Sequence, residues 1–273
     1  LEITRLSVWR SFTPKRGRAV FMNGFQSWTQ SREWRRGEHM RGLHPLFSPW
    51  IRKYRLKNYG DYHFTTYEPN RSVHGYTFSY LRDGEHFHLI GSLSERYGYT
   101  RLLWEWSRSR MRCELECEGL RAAGETTLLD LFETGGEEGA PFSRYFARMG
   151  VEPVAPVRTG WTSWYYHYTE INEDIVHDNL HSFTQNAIPI DIFQIDDGWQ
   201  HAVGDWLKPG DSFPGGMGRI AADIVRAGFT PGLWLAPFIA EGVSDLFQDH
   251  PDWFVQDENE RPLVVGYNPD QWR

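Results

Sequence analysis

From Leu1 to about Thr134, apolar and polar positions alternate in short runs: RAVFMNGF, YHFTTYEP, HGYTFSYL, HFHLIGSL, TRLLWEW and MRCELEC. A period of two marks a strand with one buried face. Turn signals such as RDGE and ECEG separate the runs, and a stretch built this way predicts a β-sandwich. Between 134 and 158 the pattern breaks into TGGEEGAPF and VEPVAPVR, with a short helical stretch, FSRYFARMG, between them. These Gly/Pro-rich pieces predict a linker, dividing the chain into domains at 1–155 and 156–273.

From Gly160 the period changes. GWTSWYY reads as a strand, and after it Ile171, Ile175, Val176, Leu180, Phe183 and Ala187 recur close to every 3.6 residues. Asn172 is a predicted N-cap, with Glu173 and Asp174 in the first turn. IDIFQI is a second strand, continuously β-prone as a strand covered on both faces should be. RIAADIVRAGF is a helix ending at Gly228, and TPGLWLAPF is a third strand. Strand–helix alternation predicts a parallel sheet, either doubly wound or a (β/α)₈ barrel. No GxGxxG or GxxxxGK[ST] follows a strand, which favours the barrel. Eight βα units need ~250 residues, and Gly160 to Arg273 supplies 114. The expected fold is therefore multidomain, a β-sandwich followed by the first three βα units of an incomplete TIM barrel.

Composition changes the functional picture. The 13 Trp, 13 Tyr and 17 Phe bring aromatics to 16%, which reads either as a large core or as rings that stack on sugars or bases. A net charge of −7 has the wrong sign for a protein that neutralises phosphates, so no nucleic-acid partner is expected. Cys113 and Cys117 lie four residues apart on one strand, ~13 Å at strand rise, too far for a local disulfide. Buried free thiols are expected. No apolar run approaches the ~20 residues of a membrane span, and LEITRLSVWR contains no signal-peptide apolar region, which predicts a cytoplasmic location. It also lacks an initiator Met, so the start of the chain is left open.

In a barrel, the C-terminal strand ends share one mouth. Here they bring Trp164 and Tyr165, Asp196 and Asp197, and Trp234 together, with Asp205 and Trp206 candidates from the loop after the second strand. Stacking rings plus acceptors that take two hydroxyls at once describe a monosaccharide pocket. Alternatively, each Trp is core and the paired Asp residues cap a helix. The Asp pair does not suit glycosidase catalysis, because the two carboxylates must flank the scissile bond, ~5 Å apart or more.

GWTSWYYHY, FQIDDGWQ with GDW after it, FTPGLWLAPF, HPDWFV and NGFQSWT together resemble glycoside hydrolase family 36, the melibiase-type α-galactosidases. The resemblance covers nearly the whole chain. It implies a β-supersandwich before the barrel and retaining hydrolysis of terminal α-galactose from melibiose- or raffinose-type oligosaccharides. It gives Asp196 and Asp197 the galactose-hydroxyl contacts, Trp164 and Tyr165 the pocket wall, Trp234 a stacking platform, and Trp28 a place at the pocket rim. The family's nucleophile and acid/base lie at later barrel strands, so no catalytic carboxylate is assigned, and both are expected beyond Arg273. This fragment alone is expected to be inactive. A non-catalytic, lectin-like sugar-binding protein on the same scaffold is the alternative. Galactose and N-acetylgalactosamine are not distinguished, and a homo-oligomer is compatible with the resemblance.

Other constellations are weaker. His177 and His181 are spaced i, i+4, and His86 and His88 share a strand face, but neither pair has a partner in an established metal pattern. No metal or cofactor is expected. The Asp pair could hold a divalent ion in a nucleotide-sugar transferase, which the missing phosphate loops argue against. Glu33, Glu38, Asp61, Glu170, Asp211 and Glu241 are carboxylates without a predicted role.

Overall fold

A computed structural model describes residues 2–12, 18–26, 28–38, 40–65, 67, 72–122, 124–152 and 156–264, with side chains at 58, 63 and 72 excepted. The chain divides into two compact units, Leu1–Pro153 and Val154–Arg273.

In the first unit, β1 (Glu2–Ser11), β8 (Arg110–Arg121), β7 (Tyr99–Glu105) and β4 (Ser72–Tyr76) form one antiparallel sheet in that order. A second antiparallel sheet runs β3 (Arg32–Arg35), β2 (Ala19–Met22), β5 (Phe78–Asp83), β6 (His86–Ser92), β9 (Leu131–Glu137). Val20, Met22, Trp34 and Leu81 of one sheet share a core with Val73, Leu102, Trp104, Met111 and Cys113 of the other. The two sheets thus pack face to face. Buried Ser79 Oγ links them, accepting from Trp104 Nε1 at 2.8 Å while donating to Phe21 O at 2.5 Å.

The alternation on β8 places Met111, Cys113, Leu115 and Cys117 inward, and both cysteines are buried and free. Burial pushes the Cys113 thiol up to about 12. The opposite face is not left to water. Glu114 is buried there and accepts from Arg101 Nη2 at 2.7 Å.

Two expectations need correction in this unit. The YHFTTYEP run is not a strand in its described part: Gly60–His63 is a 3₁₀ turn, whose Asp61 is turned inward to hydrogen-bond the 24–30 loop. The TGGE expected in a linker belongs to β9, paired with β6 from His86↔Glu137 to Ser92↔Leu131. The helix α2 (Ala140–Met149) follows it, and Arg144 Nη1 donates back to Gly135 O at 2.9 Å. Residues 2–11, within the stretch read as strands, form β1 on the sheet edge. The short helix α1 (Ser48–Lys53) buries none of its side chains.

In the second unit, β10 (Gly160–Thr162), β11 (Ile192–Ile195) and β12 (Thr230–Leu233) form a parallel sheet in chain order. Helices α4 (Glu173–Gln185) and α5 (Met217–Arg226) make the crossovers. Ile171, Val176, Leu180, Phe193, Ile195, Trp199, Phe213, Ile220 and Ile224 form their common core, and each fully buried side chain of this kind contributes about 1.5–3 kcal/mol. Asn172 caps α4, its Oδ1 accepting from Ile175 N at 2.9 Å. Gly228, at φ 92, ends α5 with the paired closing bonds Gly228 N to Val225 O and Phe229 N to Ile224 O.

Two strands are shorter than expected. GWTSWYY is strand only to Thr162, then turns into the short helix α3 (Trp164–His167). TPGLWLAPF is strand only to Leu233. Among the described residues, no helix is long and apolar enough to cross a membrane.

Candidate functional site

The register pairs Thr162 with Gln194 and Ile195 with Leu233, so the three strands end level. Ser163, Asp196 and Trp234 follow at that common edge, where Trp234 N donates to Ile195 O at 2.9 Å. The sheet thereby gathers three of the sequence-distant segments singled out above.

Asp196 is held from both neighbours. Its Oδ2 accepts from Thr162 Oγ1 and Gln194 Nε2, both at 3.0 Å. Its backbone N–H donates to the fully buried Ser163 Oγ at 2.9 Å, and its Oδ1 accepts from Asp197 N at 2.9 Å. Asp197 is 8% exposed, with Oδ1 accepting from Gln200 Nε2 at 2.6 Å. Burial raises the Asp197 carboxyl above its ordinary value and the neighbouring Asp196 charge adds to this, against the bonds from Gln200 and Gly198. The turn that follows requires glycine: Gly198 has φ 111, and a Cβ there would stand 2.7 Å from Thr169 Cα.

The tryptophans have distinct situations. Trp199, 2% exposed, donates from Nε1 to Trp234 O at 3.0 Å and so ties the loop after β11 to the end of β12. Trp206 lies between Trp199 and Trp234, with ring centroids 6.2 and 5.9 Å away. Trp164 is half-buried against the edge of Tyr168 at 5.2 Å, whereas Tyr165 is 83% exposed on α3.

Asp205 is buried, and its two oxygens accept from the N–H groups of Asp245 and Leu246, each at 3.1 Å, at the start of helix α6 (Asp245–Asp249). That gives the carboxylate a use inside the fold, a different one from lining a pocket. Glu241 closes the same pair of loops, with Oε2 accepting from Val203 N at 2.9 Å.

In the first unit, Trp28 is 65% exposed and stacks on Tyr59 at 4.8 Å and 12°. Its loop is pinned by a residue with no role in the sequence reading. Buried Asp61 accepts from Phe25 N and Gln26 N at 3.0 Å and contacts His74 Nε2 at 2.7 Å. An acidic residue 36 positions beyond Phe25 carries no local signal for this. Of the histidine pairs, His177 contacts Asp223 at 2.9 Å and His88 contacts Glu133 at 2.5 Å. Among the described residues, no three His, Cys, Asp or Glu side chains cluster to hold a metal.

Residues 152–268 match the Melibiase family model. A solved structure of TtGalA, an α-galactosidase from Thermus thermophilus in complex with p-nitrophenyl α-D-galactopyranoside, is 29% identical with a TM-score of 0.67. That match covers 100% of this chain and 51% of the other. The α-galactosidase AgaA of Geobacillus stearothermophilus is 30% identical over 115 residues, 40% of this chain and 15% of AgaA. An A type blood α-D-galactosamine galactosaminidase from Flavonifractor plautii is 36% identical over 83 residues, 28% of this chain and 8% of that protein. The chain thus spans about half the length of the Thermus protein, and the stretches matched in the curated relatives are smaller shares of theirs. Over residues 152–268 this chain is similar to the melibiase family, the family that its strand-end motifs resemble.

Proposed function

We propose that this chain supplies the sugar-gripping part of an α-galactosidase that hydrolyses terminal α-linked galactose with retention. Its three βα units are the first of a (β/α)₈ barrel in this reading. The carrying observation is the Asp196–Asp197 pair at a parallel-sheet edge, aligned by Thr162, Gln194 and Gln200. Asp196 Oδ2 and Oδ1 already accept bonds within the protein, which fixes the plane of the carboxylate. Oδ2 takes two of these bonds and Oδ1 one, so Oδ1 keeps a lone pair for a hydroxyl. Asp197, stripped of water by burial, gains most from such a donor, because a charge-assisted hydrogen bond replaces lost water. Trp164 and Trp234, following the flanking strands, supply apolar faces for the ring, with Trp206 beside Trp234 and exposed Tyr165 at the outer wall. Adjacent carboxylates cannot flank one glycosidic bond, so nucleophile and acid/base are assigned to residues other than this pair.

The test is twofold. Calorimetric titration of the chain with methyl α-galactopyranoside should show binding that Asp197→Asn weakens at least tenfold. The gene's full-length product should hydrolyse an aryl α-galactoside, and an unchanged kcat/KM in Asp197→Asn would sink the assignment. Binding without any turnover would favour the lectin-like alternative.

A further inference from the structure

Away from the parallel sheet, the first unit contains a cavity of about 190 Å³ lined by Phe25, Tyr76 and Tyr99 together with Arg5, Arg101 and Glu116, among others. Phe25 is 46% and Tyr99 49% exposed, and their rings meet at 4.9 Å and 75°. Tyr76 stands 5.5 Å from Phe25. Single exposed rings are ordinary, but rings converging on a concavity mark a binding site. The position of Phe25 is fixed from beneath by Asp61, which accepts its backbone N–H.

The polar side of the cavity is equally fixed. Glu116 lies between Arg5 at 3.0 Å and Arg101 at 3.4 Å. Arg101 is 8% exposed; Nη1 donates to Phe64 O and Thr65 Oγ1, and Nη2 to Glu114. Its Nε meets no acceptor among the described residues, and a buried donor left unpaired is costly.

We infer that this cavity binds a single pyranose ring, a second sugar site built wholly from β-sandwich residues. Its volume lies below the ~300 Å³ at which pockets begin to hold drug-sized ligands, which suits one ring. Aromatic faces and edges meet the CH groups of a sugar, while a carboxylate beside a guanidinium pairs with adjacent hydroxyls. Arg5 and Arg101 are balanced by Glu116 and Glu118 in the lining, so the site calls for a neutral polyol rather than an anion or a cation.

Only the choice of a galactoside as one probe rests on the proposed function. Calorimetry on the Asp197→Asn chain, with methyl α-galactopyranoside and methyl α-glucopyranoside in turn, isolates the sandwich site. One site per chain should remain, and adding Tyr99→Ala or Glu116→Gln should weaken it at least tenfold with an unchanged circular dichroism spectrum. Should Tyr99→Ala not fold, Glu116→Gln carries the test. Absence of sugar binding in Asp197→Asn, or binding indifferent to both added changes, would overturn the inference. So would a loss of self-association in Tyr99→Ala, seen by sedimentation, without a change in sugar affinity: that result would make the patch an interface between copies. Failure of the proposed function shows differently, as wild-type binding that Asp197→Asn leaves unchanged.

Discussion

Thr162 Oγ1 stands 3.0 Å from Asp196 Oδ2, so the last residue of one strand donates to the carboxylate that follows the next. A hydrogen bond to a charged group contributes about 1.5–3 kcal/mol, and every 1.4 kcal/mol is about tenfold in affinity. Thr162→Val should therefore weaken galactoside binding by about tenfold or more with the fold retained. Thr162→Ser should restore it. Titration calorimetry on both variants checks this; equal loss in the two would point to packing rather than the hydroxyl.

Asp197 should trade stability for binding. Its folded value is raised by burial, so its contribution to stability is fully present below the unfolded carboxyl value and is lost as pH rises through the folded one. Asp197→Asn, which cannot ionise, should melt higher at pH 7, by roughly 2 °C, and show no difference at about pH 3. Scanning calorimetry at the two pH values decides it, and an Asn variant less stable at pH 7 would contradict the burial argument.

Asp61 should act in the opposite sense. Burial alone would raise its carboxyl, but the His74 imidazole and the Gln26 and Phe25 N–H groups outweigh burial and hold it below its ordinary value. Its stabilisation is present above the unfolded value and lost as pH falls through the lowered folded one. Asp61→Asn should cost the first unit about 3 kcal/mol at pH 7, read from the denaturant midpoint. The gap between wild type and variant should narrow below pH 4.

Asp205 discriminates between a pocket residue and a structural one. Because both its oxygens accept backbone N–H groups at the start of α6, Asp205→Ala should lower stability by about 1–2 kcal/mol. Galactoside affinity measured below the unfolding transition should hold. A variant that loses affinity at unchanged melting temperature would return Asp205 to the pocket.

Local physics made much of this chain legible in its sequence. The apolar period from Ile171 to Phe183, Asn172 as N-cap and Gly228 as terminator depend on residues within a few positions of one another, and all three are present. The inward alternation of Met111, Cys113, Leu115 and Cys117 is likewise a property of one strand. What the sequence could not decide were contacts set by distant partners. TGGE read as linker because glycine disfavours strands; pairing with β6 overrides that preference. Asp196 and Asp197 could be named as acceptors from their strand-end position. Only the parallel register, which sets Thr162 beside Gln194, shows that one carboxylate is held in place by a neighbouring strand while the other is buried with Gln200. Asp61 shows the same limit. Its burial beneath the 24–30 loop follows from packing across 36 residues of sequence, and a carboxylate's charge says nothing about which backbone amides will come to meet it.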